Sequence, residues 1–446
     1  MNEQNNSSKE IIPDNDDDFD VDWDMVASSI KKSSHSGHSH HRHHRHHRHH
    51  RHHSHHQNSN RQLHQNKPVN EHVIPSDDAI QLIDDIQMEN TSSKGKHFKP
   101  ARNKRKKPLP LWLKIIIGIL IFIICLVLII VAAFFILKNR GKTQLLKYDE
   151  LKIETVDGAE TKNNGLTVKY KGESYIFNTN ITSVLFMGID NDDSEATSNI
   201  VGAAGQADAL YLLTYDTVSG KTRVLSFSRD SMVDINLYDT SGNYVGTSNA
   251  QICLSYAYGY DKKSCAQNVV TALQRIMFNI PIMSYFGIDL NAIKILNDDI
   301  GGVTVTPNET YGDFIEGQPI TLLGDQAESY VRYRDIEVLE SNSDRMSRQQ
   351  QYITAYANQI VPAIKKDISV PITLYNDASD FVVTNLNPSK ITFLGSSMAT
   401  TYSGLDMVSI PGKITLNEET GFAEFAVDYE ALYEIVLDTF YTKMPQ

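Results

Sequence analysis

Seven arginines lie beyond residue 141, and four of them fall in one stretch, residues 330–352 (YVRYRDIEVLESNSDRMSRQQQY). Val331 and Tyr333 alternate with Arg332 and Arg334, which in a strand puts both guanidiniums on one face, about 7 Å apart. Arg345, then Arg348 or Gln349, then Tyr352 recur at helical spacing and line one helix face. Guanidinium forks on a strand face and a helix start suit an anion with several phosphate oxygens. The competing arrangement is a surface salt-bridge lattice with Asp335, Glu337, Glu340 and Asp344. Two carboxylates stand at the edges of apolar runs: Asp190 ends SVLFMGID, and Asp208 precedes ALYLLTYD. Such a pair either caps loops or holds Mg²⁺ with few protein ligands, leaving the other positions to water and phosphate. Arg229, in Ser-Phe-Ser-Arg-Asp, follows a third run. Three strand ends thus offer acid, acid and base together.

All seventeen histidines lie at or before His97. Beyond that point a Ser-His-Asp triad, a Cys-His pair and a histidine zinc site are excluded. Any chemistry there falls to carboxylates, arginines, amides, hydroxyls and a hard cation. The formal charge of −12 argues against nucleic acid as a partner, since nucleic-acid binders present a basic face. Cys253 and Cys265 are twelve positions apart. Outside the cytoplasm the pair is open to a disulfide, worth roughly 3 kcal/mol in the chain-entropy model; the alternative is two buried thiols.

The elements that must position these groups follow from periodicity. Residues 150–180 carry turn signals at Asn163-Asn164-Gly165 and Lys171-Gly172 and read as a small β-hairpin. Strands are expected over 183–190, 209–216, 221–227 and 285–288, and helices over 264–278 and 290–296. A longer helix over 346–366 contains Pro362, which is expected to kink or shorten it. Strands alternating with helices make the outer part α/β or α+β with a mixed sheet.

Residues 115–137 (IIIGILIFIICLVLIIVAAFFIL) hold no charge, and about 20 such residues span a bilayer as a helix. Lys94, Lys96, Lys99, Arg102, Lys104, Arg105, Lys106, Lys107 and Lys114 precede the run, against Lys138, Arg140 and Lys142 after it. The positive-inside rule places the N-terminus in the cytoplasm and the C-terminal part outside, as a single-pass protein of the cell membrane. The tail, residues 1–108, holds an acidic run and a His/Arg repeat (HHRHHRHHRHHRHH), a composition that cannot bury a core and is expected to be disordered. The repeat reads as a solvated linker, a metal binder or a pH-responsive tract. Residues 76–88 read as a short amphipathic helix suited to a cytoplasmic partner. The chain thus divides into the tail (1–108), a transmembrane helix (109–139), a linker and hairpin (140–180) and a main domain (181–446).

The order of blocks VLFMGID, QADALYLLTYD, VLSFSRDSMVDI, LSYAYGY, NDDIGGVTVT and LLGDQAESYVRYRD followed by DRMSRQQQY resembles the LytR-CpsA-Psr family of Gram-positive-type bacteria. The resemblance is best over 182–360. It implies an α/β/α sandwich with a central mixed sheet and a hydrophobic pocket for a lipid. It also implies transfer of a glycosyl phosphate from a polyprenyl-pyrophosphate carrier to a peptidoglycan hydroxyl, as in wall teichoic acid or capsule attachment. By motif, Asp190 and Asp208 hold Mg²⁺ and, with Arg229, serve catalysis. Arg229, Arg332, Arg334, Arg345 and Gln349 bind the pyrophosphate. Two positions depart from the family pattern. Gln206 stands where arginine is common, and a lysine before the Ala-Tyr segment is replaced around Ala250-Gln251. The competing readings are a membrane-bound sensor that binds lipid-linked glycan without transferring it, and a structural wall anchor.

Overall fold

The computed structural model describes residues 109–148, 151–190, 205–333 and 341–445. The acidic and His/Arg tracts, residues 76–88 and Arg334 lie outside the described residues.

The apolar run folds as one helix, α1 (Leu111–Leu146), beginning at Pro110. Among the described residues it is the helix long and apolar enough to cross a membrane, and its apolar window is wholly exposed. At 1.5 Å per residue it is about 54 Å long, so it outlasts the expected span and carries on past Leu137, the last residue of the uncharged apolar run. A meander follows: β1 (Glu160–Lys162), β2 (Thr167–Tyr170) and β3 (Glu173–Phe177). Asn163, Asn164 and Gly165 make the first turn at positive φ. Next come β4 (Ile181–Asp190), β5 (Gln206–Asp216) and β6 (Thr222–Phe227), then a two-stranded ribbon, β7 (Met232–Tyr238) and β8 (Tyr244–Gln251). Helix α2 (Lys262–Ile276) is opened by a capping box in which Asp261 accepts from the Ser264 N–H. β9 (Ser284–Ile288), α3 (Leu290–Asp299), β10 (Val303–Val305), β11 (Ile320–Leu322), α4 (Asp325–Arg332) and α5 (Ser341–Lys366) follow. The chain closes with α6 (Val370–Asp377), β12 (Val382–Thr384), α7 (Pro388–Thr401), β13 (Leu405–Ser409), β14 (Gly412–Leu416), β15 (Ala423–Val427), α8 (Tyr429–Phe440) and β16 (Tyr441–Lys443).

Six strands form the central mixed sheet in the order β12-β9-β4-β5-β6-β13, parallel at β4–β9 and β6–β13 and antiparallel elsewhere. One face carries Leu185, Met187, Leu210, Leu212 and Leu225 into a core with Val269, Leu273 and Ile276 of α2 and Tyr433, Val436 and Leu437 of α8. The other face is roofed by α3, α5, α6 and α7. The arrangement is an α/β/α sandwich.

Two expectations are corrected and one is narrowed. The hairpin expected as part of a separate linker belongs to the domain, because Ile153, Val168, Tyr170 and Phe177 enter the main core and β3 pairs with the C-terminal β16. Of the two effects expected of Pro362, a kink or a shortening, the shortening does not occur: α5 runs on to Lys366; a proline removes one helical hydrogen bond, and its neighbours Val361 and Ile364 are buried. Arg332 is not on a strand: it is the last residue of α4, whose Ala327, Tyr330 and Val331 are buried at helical spacing.

Candidate active site

The site begins with an irregularity in β5. Gly188 pairs with Ala209 and Ile189 with Ala207, so Asp208 is an extra residue opposite the junction. Ala207 and Leu210, three apart, both lie in the core. Regular alternation would send residues two apart to one side. The bulge shifts the phase, so that Asp208 lies off the core side of β5 together with Ala209, Tyr211 and Leu213, which line a cavity. Asp190 ends β4 opposite Gln206, at the same end of the sheet, and is exposed.

Arg229 follows β6 and reaches across to this end. Its Nη1 lies 2.5 Å from Asp208 Oδ2, its Nη2 donates to Gln206 Oε1 at 2.5 Å, and its Nε lies 3.6 Å from the buried Asp230 Oδ1. The Arg229 and Asp208 side chains are only about a fifth exposed. Burial opposes the charge on Arg229, but the neighbouring Cys253, Asp208 and Asp230 outweigh it and raise its pKa, holding the guanidinium ionised. Arg345, in the first turns of α5, brings Nη1 to 3.9 Å from the same Asp208 oxygen. Two cations and a carboxylate therefore meet at the sheet end.

One turn further along α5, Gln349 accepts from the Tyr211 hydroxyl (2.8 Å) and donates to the Val331 carbonyl (3.0 Å). Burial drives the Tyr211 hydroxyl well above its usual pKa, which keeps it a neutral donor to Gln349. Gln349, Tyr211 and Val331 also line the apolar cavity of about 410 Å³ beneath the roof helices, whose walls include Phe186, Phe286 and Leu394. Charge gathers at one end, and hydrocarbon lines the rest.

The helical face expected to carry Arg345, Arg348 or Gln349, and Tyr352 resolves in favour of Gln349. Arg348 is buried, stacks 4.5 Å above the Tyr311 ring and donates to Glu309 and the Tyr333 carbonyl. It is a structural cation of the small second core. Arg332 pairs with Glu328 at 3.2 Å, is more than half exposed and is engaged along its own helix.

Of the two alternatives for Cys253 and Cys265, a disulfide or two buried thiols, the structure has the second: both are free and buried. The Cys253 sulfur turns to Arg229, accepting from Nη2 at 3.5 Å. Cys265 sits near the start of α2 against Gly259, where a Cβ would meet its sulfur at 2.7 Å. Burial, only partly offset by Arg229, pushes the Cys253 thiol up to about 11. Sequence reasoning did not select Cys253, Asp230 or Tyr211 as part of the site. The Arg229-Asp230 adjacency was a signal for the second, since a buried guanidinium is accompanied by compensating charge.

Asp190 and Asp208 are hard oxygen donors at neighbouring strand ends, a donor set that fits Mg²⁺, which takes one or two carboxylates and fills its remaining positions from water and phosphate. Among the described residues no group of three or more His, Cys, Asp or Glu converges, so an ion here would depend on substrate oxygens for the rest of its shell.

A model of the LytR_cpsA_psr family matches residues 146–438. The chain is 27% identical over 258 residues to the polyisoprenyl-teichoic acid--peptidoglycan teichoic acid transferase TagU of Enterococcus faecalis, a match covering 56% of this chain and 75% of that one. It is 25% identical over 318 residues to TagU of Oceanobacillus iheyensis, covering 70% of this chain and 88% of that one. The crystal structure of Bacillus subtilis TagV aligns with a TM-score of 0.45 and 23% identity, over 58% of this chain and 95% of that one. By the extent of the family match, the chain belongs to the LytR-CpsA-Psr family.

Proposed function

We propose that this protein transfers a glycopolymer from a polyprenyl-pyrophosphate carrier to peptidoglycan, acting outside the membrane that α1 crosses with its N-terminus in the cytoplasm. The observation that carries the reading is the junction of two chemistries: a cationic cluster at the sheet end, with an apolar cavity running from it past Gln349 and Tyr211. A pyrophosphate with a hydrocarbon tail is a ligand of that form. The names of the relatives, teichoic acid transferases, support the same substrate class.

In the reaction an acceptor hydroxyl oxygen attacks the sugar-side phosphorus. The bond from that phosphorus to the bridging oxygen breaks, and polyprenyl phosphate leaves with the electron pair. Phosphoryl transfer of this kind depends on positioning and charge neutralisation. Arg229 and Arg345 would bear the charge gathering on the leaving phosphate, with Arg332, Arg334 and Gln349 as further ligands of the pyrophosphate. The hydroxyl proton passes to a carboxylate oxygen of Asp190 or Asp208. Asp190 and Asp208 would hold Mg²⁺, which supplies further charge neutralisation when bound. The fixed position of Arg229, gripped by Asp208 and Gln206, makes it the guanidinium we assign to the phosphate nearest the cavity.

The test is transfer of a lipid-pyrophosphate glycan to peptidoglycan fragments by the full chain in detergent, with Mg²⁺ or with EDTA. Mg²⁺-dependent product that disappears in Arg229→Ala is the expected outcome. One observation favours the sensor reading: Gln206, at a position where the family often has arginine, contributes no charge and takes up an Arg229 donor. Tight, arginine-dependent lipid binding with no transfer would select that reading, and Gln206→Arg would then be the variant in which to seek activity.

A further inference from the structure

α1 is more than a tether. In its C-terminal part Phe134, Leu137, Lys138, Gly141, Gln144 and Leu145 are half-buried or buried and form one helical stripe, with Leu146 half-buried beside it, while residues 114–133 are exposed. That stripe lies on α7. Gly141 lies so close that a Cβ there would stand 2.0 Å from the Ser389 carbonyl oxygen and 2.9 Å from Phe393 Cβ. The Asn387 side-chain amide donates to Gln144 Oε1 at 3.2 Å. Asn387 meets Gln144, and Ser389 and Phe393 meet Gly141, so the two helices run antiparallel. The C-terminal half of α7 therefore heads back toward the apolar run, two residues of which, Phe134 and Leu137, are already shielded.

Other contacts fix what arrives there. Leu394, Met398 and Tyr402 on and just after α7 line the cavity, as do Leu213 and Val224, far along β5 and β6 from the charged end. Thr401 abuts the β5–β6 turn at Gly220, where a Cβ would stand 1.5 Å from the Thr401 carbonyl oxygen. That turn presents Val218, 70% exposed. Asp208 stands at the opposite end of β5, seven residues before Tyr215 and so about 23 Å away at strand rise.

We propose that the end of the cavity at Tyr402 and the Thr217–Gly220 turn rests on the outer leaflet, held there by the α1–α7 contact, and takes the carrier's hydrocarbon chain directly from the bilayer. The inference rests on the proposed lipid carrier but not on transfer. With the carrier bound, its phosphates lie at the charged end and its tail runs through the cavity to the membrane, so that chemistry takes place about 20 Å above the surface.

The test uses the full chain in vesicles of phosphatidylglycerol and phosphatidylethanolamine containing a dansyl-tagged long-chain polyprenyl phosphate, and reads uptake of the probe rather than transfer. Val218→Glu, a surface change remote from the charged cluster, is expected to slow uptake from vesicles at least 5-fold and to leave uptake from detergent micelles unchanged. In a Cys125→Ser background, Gln144→Cys/Asn387→Cys is expected to cross-link in most molecules on mild oxidation with uptake retained. Unchanged vesicle uptake in Val218→Glu would overturn the membrane contact. Failure to cross-link, or a cross-link that stops uptake, would overturn the fixed seat. Normal uptake without transfer would leave this inference standing and remove the transferase reading.

Discussion

The two faces of the central sheet are built from the same strands and put them to opposite uses. On one face Leu185, Leu210, Leu212 and Leu225 are closed over by α2 and α8, with essentially no exposure. On the other, Phe186, Leu213 and Val224 border a cavity of about 410 Å³. Interiors are close-packed as a rule, so a space of this size left under four helices is stability forgone. What it teaches is where to look for function: on the incompletely filled side, at the sheet end where a bulge adds a carboxylate to that side.

Neighbouring residues of β5 provide the largest contrast. Leu212→Ala opens a void in a filled core and is expected to cost about 3 kcal/mol. Leu213→Ala enlarges a space that already exists and is expected to cost less than about 1 kcal/mol, since few contacts are lost. Urea unfolding of the two variants measures the difference; equal losses would mean that the cavity face is as tightly filled as its opposite.

Arg229→Ala is expected to leave a half-buried Asp208 with one cation fewer and to lower transfer about 100-fold, the loss of a charge-assisted phosphate contact. Arg348→Ala, on the filled side of α5, is expected to lower the melting temperature while kcat of the folded fraction stays within about 3-fold of wild type. Steady-state kinetics beside thermal melts separate the two arginines. A smaller effect follows from filling the cavity. Ala209→Leu is expected to leave stability within about 0.5 kcal/mol and to weaken lipid binding about 10-fold, because added methylenes occupy empty space instead of straining a core. Lipid titration followed by fluorescence reads this directly.

The sequence exposed the parts of the site that depend on local chemistry and hid those that depend on pairing. SVLFMGID and ALYLLTYD announce β4 and β5 by apolar runs with terminal carboxylates, and α2 is announced by its periodicity. The bulge at Asp208 is a property of two strands in register, and no single strand signals it. Residues around Arg332 fit two periods at once: Val331 and Tyr333 alternate with arginine, yet Ala327, Tyr330 and Val331 share a helical face, and burial of Tyr330 among Tyr311 and Phe314 decides for the helix. Arg345 and Arg348 are alike on paper. One helical turn separates a guanidinium beside Asp208 from one sealed between tyrosines. α7 as a whole is rich in Ser and Thr and gives no amphipathic signal, although its Ile391, Leu394 and Met398 line the cavity.

The boundary between the faces runs through Cys253, and its titration sharpens the comparison. The thiol is buried like a core residue yet touches the Arg229 guanidinium. Its folded pKa stands at about 11, against 9.0 for the free side chain. A pKa raised on folding means the folded state holds its proton more tightly. The associated stability is complete below pH 9, declines as the unfolded chain begins to ionise, and is gone once pH passes 11. Wild type should therefore lose on the order of 1 kcal/mol relative to Cys253→Ala between pH 8 and pH 10. Comparing the two proteins removes the common contribution of the buried tyrosines. A constant gap across that range would mean that water reaches the thiol from the charged end, and that the open side of the sheet extends past Arg229 into what is here a dry turn.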